Sequence, residues 1–161
     1  MPTPIRSRLI AQIVADVSGI AGIGSTITRW DARQTTTFGH LDCVVSQVGD
    51  EPLFEFVGNP GTVRRTLSVL VSVVIRPSEN DSTATDALVS TWAGNLEHAL
   101  LANRTRVETA TSKRLAVDSV ISQIDPPEWL DGASAATVRV DITYDHDGDS
   151  VYANGTLVPA A

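Results

Sequence analysis

The stretch TVRRTLSVLVSVVIR, residues 62–76, decides the fold class. Its side chains alternate with the two-residue period of a strand that is buried on one face. The face that begins at Val63 is apolar except for Arg65, whereas the opposite face mixes polar, charged and apolar residues. The pattern predicts one long half-buried strand, whose first half, with Arg64 and Arg65, extends beyond the core as part of a hairpin.

The segment before this strand supplies the other arm of that hairpin. LFEFV, residues 53–57, is followed by the four residues Asn59-Pro60-Gly61-Thr62. Proline at the second position and glycine at the third are typical of a type II turn. Phe54 and Phe56 lie on one face of the predicted arm, since a strand alternates its side chains. They are candidates for core packing or for contacts with a partner.

Two amphipathic helices are predicted to pack on the sheet. The first begins at Pro4, carries apolar residues every four positions and ends at Gly19, a common residue just after a helix. The second covers residues 82–102, and Trp92 lies on its predicted buried stripe. That stripe comprises Ala84, Leu88, Trp92, Leu96 and Leu100.

Shorter apolar segments complete the predicted sheet. Strands are expected within residues 25–30 and 41–48, at 115–124 with a bulge, and at 136–145. The polar and charged segment 103–114 is expected to be a loop or a frayed strand. Asn154-Gly155 predicts a terminal hairpin over residues 150–158. The predicted fold class is α+β: a mixed or antiparallel β-sheet with two amphipathic helices packed on it, a long β-hairpin arm and a C-terminal hairpin.

Composition and charge limit the class of protein. The chain has 161 residues, of which 42% are hydrophobic, which fits a single folded domain spanning residues 1–161. The net charge of −7 disfavours a duplex-binding surface but suits a wall that DNA slides past. No apolar run reaches the roughly 18 residues of a membrane span. The N-terminus lacks a secretory signature, so synthesis in a cytoplasm and no membrane partner are expected.

The stretch YDHDGD, residues 144–149, is the best candidate for a metal site. Counting a calcium loop from Asp145 places Asp147 and Asp149 at ligand positions three and five. Ser150 then replaces the required glycine, Thr156 replaces the bidentate glutamate, and the preceding element reads as a strand. We interpret the stretch as an acidic turn, keep these three aspartates as weak candidates for surface calcium binding, and predict no metal site and no cofactor.

No catalytic constellation is apparent in the sequence. The three histidines are scattered singly, no glycine-rich phosphate loop follows a strand, and no nucleophile elbow is present. The single cysteine, Cys43, lies in an apolar strand segment without a basic neighbour on its face. We therefore expect no catalytic residue and a binding or structural protein in place of an enzyme.

Two stretches resemble a known family. PIRSRLIAQIVADVSGI and TLSVLVSVVIRPSENDSTATDALVSTWAGNLEHALL, with the order of elements around them, resemble the tail terminator (tail completion) proteins of long-tailed bacteriophages. The resemblance covers residues 4–144 by pattern and size, and residues 145–161 extend beyond it. No functional residue is carried over individually, because the family has no catalytic signature.

The resemblance implies a structural virion protein made in the host cytoplasm. Six copies would form a ring that caps the tail tube, ends its polymerisation and joins the tail to the head connector or stopper protein, while genomic DNA passes through the lumen without sequence-specific binding. The interface candidates are Phe54, Phe56, Arg64 and Arg65. The alternatives are another neck or tail-tube component, such as a head-tail joining protein, and a small α+β ligand-binding domain or enzyme.

Overall fold

The computed structural model of the chain describes residues 4–28, 41–56, 62–76, 85–125, 128–130 and 133–147. Within them, helices α1 (Ile5–Ser18) and α2 (Thr85–Ala102) contact each other and pack on one face of a sheet. This arrangement confirms the predicted α+β class. The strands are β1 (Thr26–Thr28), β2 (Cys43–Phe56), β3 (Thr62–Ile75), β4 (Asp118–Ile124), β5 (Glu128–Leu130) and β6 (Ala133–Asp147).

The sheet is mixed, with an antiparallel centre. Its strand order is β1-β2-β3-β6-β4, and β5 pairs with the first residues of β6. β2, β3, β6 and β4 are antiparallel to their neighbours, whereas β1 pairs with β2 in parallel. β3 lies between the two other long strands, which explains why residues 62–76 carry the clearest strand pattern in the sequence.

β2 joins two segments that the sequence presents as separate. The predicted strand at 41–48 and the predicted arm at 53–57 form one strand of 14 residues. Its pairing with β3 shifts between Gln47 and Gly49 and again between Pro52 and Phe56. Such irregularities add residues to one strand without ending it. The hairpin with β3 is confirmed, whereas the predicted type II turn and the predicted C-terminal hairpin lie outside the described residues.

The core lies between the helices and the sheet face predicted from β3. Each alternate residue of β3 from Leu67 to Ile75 is buried, as are the predicted apolar positions of α1. Fully burying an aliphatic side chain of this kind stabilises a fold by about 1.5–3 kcal/mol. The buried residues contributed by these two elements are Leu67, Val69, Val71, Val73 and Ile75 from β3, and Ile5, Leu9, Ile13 and Val17 from α1.

The buried stripe of α2 differs in phase from the prediction. Leu88 is 39% exposed, whereas Val89 and Ala93 are buried beside Trp92. Residues four apart on a helix turn by about 40° relative to each other, so a strict four-residue series leaves the buried face by Leu88. Trp92 is in the core, as predicted. A Cβ at Gly22, whose φ is 93°, would lie 3.3 Å from the Trp92 ring, so this turn needs glycine.

Candidate assembly surfaces

The sheet continues beyond its apolar core. On the helix-covered face of β3 the buried apolar series ends at Leu67, and the next two residues on that face, Arg65 and Val63, are half-buried. β6 pairs with β3 along its whole length, and β2 pairs with it as far as Phe56. We call residues 49–56, 62–66 and 143–147 the sheet extension. Polar contacts join its described side chains, and Tyr144, which also belongs to the buried core, connects the two regions.

Asp50 is the centre of the polar cluster on the helix-covered face of the sheet extension. Its side chain is only 4% exposed, and it accepts hydrogen bonds from Arg65 Nε at 3.0 Å and the Tyr144 hydroxyl at 2.7 Å. Arg6 of α1 lies 3.3 Å from its second oxygen. Burial, and then the hydrogen bond to Asp50, raises the pKa of Tyr144. The cluster joins α1 to all three strands of the sheet extension.

Arg64 points to the opposite face, as the strand alternation predicts. Its guanidinium makes two hydrogen bonds to Asp145, from Nε to Oδ1 at 2.8 Å and from Nη2 to Oδ2 at 3.0 Å. The Asp145 side chain is 1% exposed, so the two charges offset each other's desolvation. Arg64 and Arg65, both proposed from the sequence as interface residues, are thus bound to carboxylates within the subunit and lie on different faces.

Of the three candidate calcium ligands, the structure describes the side chain of one, Asp145. Both oxygens of Asp145 accept hydrogen bonds from Arg64. Asp147 is the last residue of β6 and its side chain is outside the described part, as is all of Asp149. Among the described residues, no group of three or more histidines, cysteines or carboxylates could hold a metal ion.

Phe54 and Phe56 lie near the end of β2, within the sheet extension. Phe56 is opposite Val63 of β3. Their side chains are outside the described part, and so is the predicted choice between core packing and contact with a partner.

The sheet has an open edge on each side within the described residues. β4 forms one edge and exposes Val120 and Ile124 by nearly half of their surfaces. At the other edge β1 covers β2 only as far as Val45. Beyond that point the two pairing shifts and Pro52 interrupt the outer edge of β2. Irregularities and prolines hinder further strand pairing. β4 has a single pairing shift, between Ile121 and Gln123, and no proline, so it is the less interrupted edge for adding a strand.

The sheet face opposite the helices mixes polar side chains with apolar ones such as Leu70 and Val74. Ser68 donates a hydrogen bond to Asp141 at 2.6 Å and accepts one from Arg139 at 3.2 Å. Ser72 and Thr137 are joined across β3 and β6 at 2.9 Å. These cross-strand contacts satisfy the polar groups within the subunit.

The segment between α2 and β4 is anchored by a buried arginine. We call residues 103–117 the docked loop. Arg106 is 0% exposed and donates from Nη1 to Asp16 at 2.8 Å, from Nη2 to the Leu100 carbonyl at 2.6 Å and from Nε to Ser119 at 3.2 Å. Burial lowers the pKa of Arg106, and Asp16 opposes that effect. The sequence predicted a polar, charged loop or frayed strand here, with no signal that one of its arginines is buried.

Further contacts attach the docked loop to α1. Arg8 makes two hydrogen bonds to Glu108, at 2.8 and 2.5 Å, and Gln12 accepts one from the backbone N–H of Thr109 at 2.9 Å. The hydrogen bond from Arg8, followed by one from Thr111, lowers the pKa of Glu108 to about 2. These residues occupy the second and third turns of α1, so the loop lies along the helix.

Cys43 is fully buried in β2, and burial raises its pKa to about 12. Its thiol is therefore protonated at neutral pH, which agrees with the apolar role expected for it. His98 is exposed on α2, and His40 lies outside the described residues.

Within the described residues, no helix combines the length and the apolarity that crossing a membrane requires. In comparisons with known proteins, no family model and no curated protein matches the chain.

Proposed function

We propose that this chain is a structural virion protein that forms the terminator ring of a phage tail. Six copies would cap the tail tube, stop its polymerisation and join it to the head connector. The observation that carries the proposal is the sheet extension, because three paired strands continue there beyond the main apolar core of the subunit. The proposal also rests on the resemblance of residues 4–144 to tail terminators.

Strand length supports a part that reaches outward. β3 has 14 residues, which span about 46 Å at about 3.3 Å per residue. A compact domain of this length has a radius of gyration of about 15 Å, or a diameter of roughly 40 Å. A sheet with three strands of this length therefore spans or exceeds the whole domain, and most strands are much shorter.

A closed ring needs two different surfaces on each subunit that fit each other. In the proposed ring, the sheet extension of one subunit meets the β4 edge of the next, because an added strand supplies main-chain hydrogen bonds without any special side chain. The net charge of −7 suits a lumen through which DNA must pass without sticking. The proposed protein has no catalytic role and no cofactor, and it resides in the neck or tail of the virion.

Size-exclusion chromatography with light scattering tests the proposal. The purified chain is measured alone over a wide range of concentrations and again with tail-tube subunits. We expect a six-subunit species, at least in the presence of the tube. A chain that stays monomeric at every concentration and does not bind the tube would refute the proposal and favour a ligand-binding domain or an enzyme.

Electron microscopy of labelled particles tests the position. A terminator lies at the head-proximal end of the tail tube. A label along the tube, or within the head connector, would assign the chain to one of the other neck or tail components.

A further inference from the structure

The docked loop ends in a tight turn that projects into solvent. The N–H of Glu108 donates to the Lys113 carbonyl at 2.8 Å, and the N–H of Ser112 donates to the Glu108 carbonyl at 2.7 Å. Val107 and Arg114 form an isolated β-bridge below this turn. Residues 109–114 are all exposed. The base of the loop is thus held by α1 and by its own backbone. The exposed residues 109–114, which we call the tip, project away from it into solvent.

Backbone strain accompanies this anchoring. Arg106 has a φ of 47° and Ser112 a φ of 55°, a left-handed conformation that costs free energy for any residue with a Cβ. Such conformations persist where the surrounding contacts impose them, and they concentrate at functional sites. A simple connection between α2 and β4 needs no residue with a positive φ. The contacts of the docked loop with α1 and with its own backbone therefore impose one particular shape on it.

The tip carries two cations that form no ion pair among the described residues, although Lys113 is near enough to Glu108 to contribute to lowering the pKa of that carboxyl. Lys113 and Arg114 have no carboxylate within ion-pair distance among the described residues. By contrast, most arginines in the described part are ion-paired to an aspartate or glutamate. The paired arginines are Arg6, Arg8, Arg64, Arg65, Arg104, Arg106 and Arg139.

We propose that Lys113 and Arg114 form ion pairs with carboxylates of a neighbouring copy of this chain, a contact that rests on the proposed ring. Two subunits with a net charge of −7 each repel one another, so their contact surface needs local charges of opposite sign. The same chain supplies the complement. Glu51, on the sheet extension, is exposed and forms no ion pair among the described residues.

The free charges of opposite sign lie on different faces of the subunit. Asp50 and Glu51 are consecutive in β2, so Asp50 faces α1, where Arg6 binds it, whereas Glu51 faces away from the helices. The docked loop is attached to α1 on the helix-covered side. A head-to-tail contact brings unlike surfaces of two neighbours together, and a cationic tip on one side with an exposed carboxylate on the other satisfies this requirement.

Charge also favours a protein partner over nucleic acid. Affinity for DNA comes from many phosphate contacts, and one loop tip offers two cations on a chain whose net charge is −7. Two ion pairs at a protein contact weaken with salt but fix the orientation of the partners.

The test compares two variants that change net charge equally. Lys113→Ala with Arg114→Ala removes two positive charges from the tip. Ser90→Glu with Asn95→Glu adds two negative charges at exposed positions of α2, away from the docked loop. Both variants and the wild type are assembled with tail-tube subunits and followed by light scattering at low and high salt. Their melting temperatures check that the fold is intact.

We expect the tip variant to associate about tenfold more weakly at each contact at low salt, which is the effect of two ion pairs. The control should assemble like the wild type, and the difference should shrink at high salt. Equal assembly of the tip variant and the wild type would overturn the inference while leaving the ring intact. A wild type that never assembles overturns both proposals. A tip variant that assembles normally but loses affinity for a labelled DNA duplex would assign the tip to nucleic acid.

Discussion

Replacing Arg106 by alanine should destabilise the subunit more than any change at its surface. The guanidinium is fully buried and bonds to three different elements: Asp16 of α1, the Leu100 carbonyl of α2 and Ser119 of β4. Arg106→Ala removes all of these contacts at once. It also leaves the Asp16 carboxylate, which is 11% exposed, without its counter-ion.

The expected cost follows from these contacts. Removing one member of a buried ion pair costs about 3–5 kcal/mol. Asp16 keeps hydrogen bonds from the amides of Gln12 and Asn103, which places the loss near the lower end of that range. The Leu100 carbonyl loses a hydrogen bond as well, worth about 1 kcal/mol. We therefore expect a loss of about 3–4 kcal/mol, a large fraction of a typical domain's stability of about 5–15 kcal/mol.

Urea denaturation measures this loss. With a slope of about 2 kcal/mol per molar urea, the midpoint should fall by about 2 M. Arg106→Lys is the matched control, because it keeps the charge but lacks the planar fork, and its loss should be smaller. Asp16→Ala should cost a similar amount to Arg106→Ala, and the double variant should cost less than the sum of the two. A loss below about 1 kcal/mol for Arg106→Ala would refute the view that this residue anchors the loop.

Three other predictions concern assembly, pH and metal binding. Phe54→Ser with Phe56→Ser should give a folded subunit that no longer assembles in light scattering, and an unfolded protein would instead place both rings in the core. Since the pKa of Glu108 falls from its ordinary 4.5 to about 2 in the folded chain, its ion pair should stabilise the fold above about pH 4.5 and be lost as the pH falls towards 2. Arg8→Met should remove this part of the pH dependence in urea titrations. Calcium should leave the melting temperature unchanged, because Asp145 is bound by Arg64, and a rise of several degrees would restore the calcium-loop interpretation.

Local sequence patterns predicted the main elements well. α1 was expected at residues 4–18 and forms Ile5–Ser18, and the long strand expected at 62–76 forms Thr62–Ile75. Both carry apolar side chains with the period of their own secondary structure, and both meet the core with one face. A bulge was expected where the apolar residues switch from Leu115 and Val117 to Val120 and Ile124; β4 does contain a pairing shift, but it lies between Ile121 and Gln123.

Predictions failed where a residue's environment is set by contacts with elements that are distant in the sequence. Leu88 fits a four-residue series, but the contacts of α2 with both α1 and the sheet bury Val89 and Ala93 instead. Arg65 and Arg64 face opposite sides of the strand, as alternation predicts. Nothing in the sequence indicated that Asp50 would bind Arg65 or that Asp145 would bind Arg64. These partners are 15 and 81 residues away.

The sequence alone therefore determined the two helices, the long strand at 62–76, the apolar face of the sheet and the acidic balance of the chain, because each can be read without knowing which distant residues meet. Only the tertiary structure decided which charged side chains form ion pairs within the subunit and which are left for contacts with another molecule. The ion pairs of Arg106 with Asp16 and of Arg8 with Glu108 join residues 90 and 100 positions apart. In the sequence, Lys113 and Arg114 cannot be told apart from the cationic residues Arg8 and Arg106. Folding places a carboxylate within ion-pair distance of Arg8 and Arg106, whereas it leaves Lys113 and Arg114 in solvent at the tip of the docked loop.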